Sequence, residues 1–445
     1  MHRDAITRRL LRRFGLTALA LGLGLGPRTA APALAQAPTV TAPALRVAVD
    51  RLDYSFAETL DFRLEATAPG PVEQVLLRYT IGEDSPRNRR VPEFEPGGTA
   101  VRAQHEEELV RGSIPPASVI RWWWSVILAD GRVLETAARH ERYMDERFEW
   151  QSLESEHLRV WWYDAPRSFA EDIQDQSNAA LDRLEPLIGS RPDRRIEIVA
   201  YRSQLDLRDA MFDRGAGYEE RLSTLGARVA PDILILDAGT GGSQLEEVIA
   251  HELSHIVLNL HFEEPYMDAP LWLDEGLAMY VEGPLDAGEQ RNLDRAIADD
   301  RVMSVLSLTS FPGNPDQVEL AYAQSRDFVS FLIQSGGEDR FRRLLDTVGQ
   351  AEQDMDEALT GIYGYDQLGL YQAWRAGRRM APAVTPAPGD TPRPRPTPLP
   401  SGGGLPCGAV LWLPVGLLLW VRNETGRRAS RPASGRPESG GAPQP

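Results

Sequence analysis

Within Gln244–Glu282, the run His251-Glu252-Leu253-Ser254-His255 constrains this chain more tightly than any other stretch. Leu245, Ile249, Leu253, Ile256, Val257 and Leu260 recur around it at helical spacing, which predicts a buried amphipathic helix. Ser243 with Glu246 three residues on has the form of a capping box, after a Gly241-Gly242 loop. On such a helix His251 and His255 stand one turn apart on one side, so both imidazoles can reach a single ion. Two neutral imidazoles suit Zn2+, and Glu252 is placed to act as general base on a water held by that ion.

A zinc site that performs chemistry needs a third protein ligand and leaves the fourth position to water. Downstream lies Leu271-Trp272-Leu273-Asp274-Glu275-Gly276-Leu277-Ala278-Met279-Tyr280. With both motifs present the chain resembles the gluzincin zinc metallopeptidases, the peptidase MA-like group with thermolysin-like and aminopeptidase N-like catalytic domains. In the aminopeptidase N-like enzymes a Trp-Leu-x-Glu-Gly segment, about this far past the second His, brings the third ligand from a second helix. The resemblance therefore implies Glu275 as that ligand. Trp272, Leu273 and Gly276 match the motif around it, and Asp274 fills the variable slot.

A rival third ligand is His261, six residues after His255, where the metzincin peptidases carry their third His. Those enzymes need a Gly midway to end the helix, and Leu258 stands there, flanked by Val257 and Asn259. In an unbroken helix His261 lies about 9 Å further along the axis than His255 and cannot share its ion. Met279 falls on an apolar helical face and reads as core rather than as a metzincin Met-turn.

At 445 residues the chain has room for two or three domains. Its single Cys, Cys407, excludes an internal disulfide and a thiolate zinc site. The net charge of −17 conceals +5 over residues 1–35 and +4 over 380–445, so residues 36–379 carry −26. A body this acidic argues against nucleic acid as a partner and against adsorption to anionic headgroups.

Residues 1–35 read as an export signal peptide. Arg8, Arg9, Arg12 and Arg13 form its basic region, Leu16–Leu25 its apolar region and Ala33-Leu34-Ala35 a cleavage site. An uncleaved anchor is the alternative, which the short apolar run disfavours. Residues 40–150 read as an all-β sandwich of immunoglobulin or fibronectin type. Leu45–Val49, Val75–Thr80, Ile120–Leu128 and Val133–Thr136 are strand-like, and Asp130-Gly131 marks a hairpin between the last two. Trp122, Trp123 and Trp124 could form a carbohydrate platform, but alternation along a strand buries part of the run, so core is the stronger reading. His105 and His140 are isolated and read as surface or packing residues.

Residues 155–379 read as an α+β region of gluzincin type. Leu158–Tyr163, Arg195–Ala200 and Asp232–Leu236 are strand candidates, and Phe169–Ile188 has helical periodicity. In gluzincins a strand just before the zinc helix forms the sheet edge to which substrate backbone adds, so the resemblance implies that role for Leu225–Leu236. Aminopeptidases of the group hold the substrate's free amine with a Glu in a Gly-x-Met-Glu-Asn segment. Gly226-Ala227-Arg228-Val229-Ala230 has no carboxylate, which favours an endopeptidase. The resemblance also implies Tyr322 as the donor that stabilises a tetrahedral oxyanion, although Ser325 stands where the family has Gly. A packed helical Tyr is the alternative.

Residues 381–404 form a Pro-rich linker. Residues 405–421 run without a charge, near the lower limit for a transmembrane helix. Arg422, Arg427, Arg428 and Arg431 put the disordered tail, 422–445, in the cytoplasm by the positive-inside rule. The whole describes an exported zinc peptidase, tethered by its C-terminal helix, acting on peptide or protein outside the cytoplasm. Two other readings stay open: a catalytically silent surface binding protein, and a metzincin-type site that uses His261.

Overall fold

The computed structural model describes residues 44–82, 87–211, 226–239, 243–262, 269–308, 315–349 and 353–383. The expected signal peptide, transmembrane segment and tail lie outside these residues, as does the linker beyond Ala383. Among the described residues no helix is long and apolar enough to cross a membrane. The described residues from Leu45 onward form one compact unit.

Alternating apolar residues build the β-rich N-terminal region. In β2 (Thr59–Thr67) Leu60, Phe62 and Leu64 are buried while their neighbours are only partly covered, the period-two pattern of a sheet with one dry face. β2 lies between β1 (Arg46–Ser55) and β5 (Ala100–Glu108) in an antiparallel three-stranded sheet. The second sheet runs β4 (Asn88–Arg90), β3 (Val72–Ile81), β6 (Val119–Leu128), β7 (Val133–Glu135), with β8 (Arg139–Arg142) also pairing with β6. The hairpin at Asp130-Gly131 joins β6 to β7, and Gly131 takes the left-handed conformation that the turn requires. Phe62, Tyr79, Trp122 and Trp124 pack in the core between the sheets. Both buried indoles donate to Asp50 Oδ1, at 2.8 and 3.0 Å, which satisfies their polar edges inside the core. Trp123 points the other way.

A five-stranded sheet follows, in the order β12 (Gly226–Ala230), β13 (Ile233–Asp237), β11 (Ile196–Tyr201), β10 (Leu158–Trp162), β9 (Gln151–Glu154). β10, β11 and β13 are parallel, and the two edge strands are antiparallel to their neighbours. Parallel strands are apolar on both faces, and each face here has its own cover. Val160, Trp162, Ile198, Ala200, Leu234 and Leu236 pack beneath the helices. On the opposite face Val199, Tyr201, Ile233 and Ile235 pack with Tyr163, Phe148 and Trp150, and with Phe56 and Ala117 from turns of the N-terminal region. Glu197 ties the two parts together: Arg142 reaches it at 3.2 Å, Arg159 at 2.9 Å, and the Trp161 indole donates to it at 2.6 Å.

Helices complete the C-terminal region: α1 (Arg167–Ile188), the short α2 (Gln204–Ala210), α3 (Ser243–His261), α4 (Leu271–Glu282), α5 (Ala287–Ala298), α6 (Pro315–Gly336), α7 (Glu338–Gly349), α8 (Met355–Tyr363) and α9 (Gln367–Gly377). α1 ends at Gly189, whose positive φ lets its N–H cap the Glu185 carbonyl. α4 is buried around its circumference, from Trp272 and Leu273 to Met279 and Val281, and packs against both α3 and α6. A helix enclosed in this way can hold a charged group with little freedom to turn.

Candidate metal centre

α3 carries His251, Glu252 and His255, each no more than 3% exposed. α4 crosses α3 and brings Glu275, 1% exposed, against the histidine pair. Glu275 Oε2 lies 3.5 Å from His251 Nε2 and 3.7 Å from His255 Nε2. The three donor atoms all fall within 4.8 Å of one another, a grouping able to hold a metal ion. Neither Glu275 oxygen has a hydrogen bond of normal geometry, although the whole side chain is buried. A buried carboxylate needs compensation, and two imidazole nitrogens facing its oxygen make a donor set that suits zinc.

The other nitrogen of each imidazole faces a carboxylate. His255 Nδ1 lies 2.7 Å from Asp274 Oδ1, and His251 Nδ1 lies 3.4 Å from Glu282 Oε2. These contacts set the ring orientations and leave Nε2 of both rings directed at the shared centre. All three carboxylates come from α4. Glu282 is two turns beyond Glu275 on the same face, and Asp274 precedes it in the first turn.

The electrostatics follow from this excess of carboxylate. Burial pulls the His251 imidazole down, but Glu275 and Glu282 outweigh it and hold its pKa well above the ordinary value. Burial likewise opposes the charge on His255, and Asp274 and Glu275 raise it overall. Burial pushes the Glu275 carboxyl up in spite of both imidazoles. A divalent cation is the natural counter-charge for such a cluster.

Tyr322, on α6, joins the same site. Its ring centroid is 6.3 Å from that of His251, and it packs with Met279 and Val318. Burial raises its pKa well above the ordinary phenol value, and Glu275, Glu252, Asp274 and Glu282 all add to the effect, so the hydroxyl stays protonated. What permits α6 to come this close is Gly276. A Cβ built there would stand 2.5 Å from the Ser325 carbonyl oxygen and 2.6 Å from a Val329 methyl.

The helix runs unbroken through Leu258 to His261, whose Nε2 pairs with Asp346 of α7 at 3.0 Å. His261 is therefore not in the metal-ligand group, and Met279 is a packing residue. β12 is the edge strand of its sheet and runs beside α3. Leu225 and the Gly241-Gly242 loop lie outside the described residues. Of the groups at the site, Asp274 and Glu282 are those that motif spacing does not single out. Their signal is positional, since both sit on the helix that carries the third ligand.

Residues 176–378 match the family model of the Peptidase MA superfamily. A search of curated proteins gives no match. Among solved structures, the chain is similar to an M1 zinc metallopeptidase from Deinococcus radiodurans at 15% identity, covering 79% of this chain and 95% of that one, with a TM-score of 0.33. It is also similar to OgpA from Akkermansia muciniphila at 15% identity, over 23% of this chain and 29% of that one, with a TM-score of 0.17. Scores this low establish no correspondence of individual residues. The matched residues, 176–378, carry the whole of the histidine and carboxylate cluster.

Proposed function

We propose that this protein is a zinc-dependent peptidase, and that it is an endopeptidase exported and tethered by its C-terminal segment. One observation carries the reading: His251, His255 and Glu275 converge from two helices, with Glu252 buried beside them. Zinc bound there supplies Lewis acidity, polarising the scissile carbonyl and making water a nucleophile at neutral pH. Glu252 accepts the proton of the attacking water and passes it to the leaving amine. Tyr322, kept protonated by its surroundings, donates to the oxyanion that forms. Asp274 and Glu282 hold the two imidazoles in register for these steps. The absence of a carboxylate in Gly226–Ala230 leaves no group there to hold a free amine, which supports internal cleavage.

The test is metal content together with cleavage. The purified protein should hold about one zinc per chain, and Glu275→Ala should lose it. Glu252→Gln should keep the metal and cleave none of a denatured-protein peptide mixture that the wild type digests. A wild type without zinc overturns the proposal, and one that holds zinc yet cleaves nothing favours a binding scaffold.

A further inference from the structure

The outer face of the second β-sheet departs from the charge of the rest of the molecule. Register places Arg89 of β4 beside Arg78 of β3, and Arg78 beside Trp123 of β6. Arg121 stands two residues before Trp123 on the same face, and the guanidinium groups of Arg87 and Arg121 both lie 5.9 Å from the Trp123 ring centre. Four arginines thus share the face that carries this indole, two of them over its ring. Elsewhere arginines such as Arg63, Arg90, Arg147 and Arg159 are matched with carboxylates. None of these four pairs with a carboxylate among the described residues, and Arg78 spends its Nε on Ser125. Glu135, to which Ser125 also donates, is an acid placed on this face by its register with Ser125. In a body that carries −26 over residues 36–379, an unneutralised basic face is conspicuous.

The face ends at an edge. β4 pairs with β3 on one side, and on its other side no backbone hydrogen bond reaches it from the described residues. Arg87 and Arg89 are both exposed and two residues apart, the period at which an extended peptide repeats its side chains on one face. A strand added to this edge would set every second side chain beside them. We propose that β4 and this arginine face bind an acidic polypeptide segment in extended form, its backbone pairing with β4 and its alternate carboxylates meeting Arg87, Arg89 and their neighbours. Guanidinium forks held against an indole are pre-ordered for carboxylates, so little side-chain freedom remains to be lost on binding. An anionic polysaccharide has no backbone amides to offer the edge, which is why a peptide is favoured over it.

The proposal is independent of the peptidase reading, because binding is measured without cleavage. A labelled peptide of alternating Ser and Glu is titrated with the full protein, in the presence of a chelator so that the probe stays intact, and anisotropy is followed. It should bind, and bind at least several-fold more tightly than a peptide of the same composition with its Glu residues in one block. The alternating Ser and Gln peptide should not bind. Arg89→Glu should weaken binding roughly tenfold or more, and so should Arg121→Ser. Both sites are exposed, and unchanged melting temperatures would show the variants folded. Equal affinity for alternating and blocked peptides, equal competition by polygalacturonate, no binding at low salt, or no effect of either substitution would each overturn it.

Discussion

Replacing Gly276 by Ala tests how α4 and α6 are held together. Two effects oppose each other. Ala favours a helix over Gly by about 1 kcal/mol, so an unobstructed site should gain stability. At Gly276, however, the added Cβ meets the Ser325 carbonyl oxygen at 2.5 Å and Val329 at 2.6 Å. Comfortable contacts lie at about 3.5–4.0 Å, so the helices must part by about 1 Å, and the obstacle is backbone that cannot swing aside. Overpacking of this kind costs about 1–3 kcal/mol, and a clash with backbone belongs at the upper end. The net expectation is a loss of about 2 kcal/mol, read as a lower urea midpoint at unchanged slope. Since Glu275 is on one of these helices and Tyr322 on the other, cleavage should fall further, by about a hundredfold, as a 1 Å displacement at a catalytic site can produce. Gly361 in α8 is the control: nothing lies within 4 Å of a Cβ there, so Gly361→Ala should be neutral or stabilising. A Gly276→Ala protein as stable as the wild type, or one less stable with full activity, refutes the reasoning.

Two further outcomes follow from named contacts. Asp274→Asn keeps the shape but removes the charge facing His255 Nδ1 at 2.7 Å, and should weaken zinc binding by about 10–100-fold in a competition assay, with the fold unchanged by circular dichroism. In the N-terminal sandwich, burial works against ionised Glu107, but hydrogen bonds from Arg90 at 2.7 and 2.8 Å and from His105 prevail and bring its pKa down to about 2. A carboxylate lowered on folding stabilises the protein above its ordinary pKa of 4.5 and loses that contribution as pH falls towards about 2. Glu107→Gln should therefore narrow its stability deficit against the wild type over that interval in acid titrations of unfolding; a constant gap would show that the pair contributes nothing pH-dependent.

How much of this was legible in the sequence varies with the range of the interactions involved. α3 announces itself because apolar residues at period 3.6 surround two histidines one turn apart, all within one helix. Alternation leaves either Trp122 with Trp124 or Trp123 for the core, and the structure buries the pair; Met279 follows from the apolar helical face it shares. The unbroken helix through Leu258 follows from the want of a breaker, and it carries His261 away to Asp346. Asp286 with Glu289 marks the start of α5 in the same local way, by a capping box present in the structure. β9 is different: four residues, mostly exposed, are held only by their register with β10. For that reason the stretch left between residues 150 and 155 holds a strand of the five-stranded sheet. Asp274 and Glu282 were hidden for a related cause, since what defines their role is the approach of two helices, through contacts between residues 19 and 31 apart in the chain.

The rear of the five-stranded sheet has one more consequence. Tyr201, Val199, Ile233 and Ile235 are dry because residues before 151 roof them over, with Phe148 stacked on Tyr163 at 4.0 Å and Arg142 latched to Glu197. Expressed without that roof, the C-terminal part would present a broad aromatic and aliphatic plate to water, the kind of surface that drives clumping. Anyone wishing to trim this protein to its chemistry must therefore keep the front half attached, or repaint the plate with polar residues first.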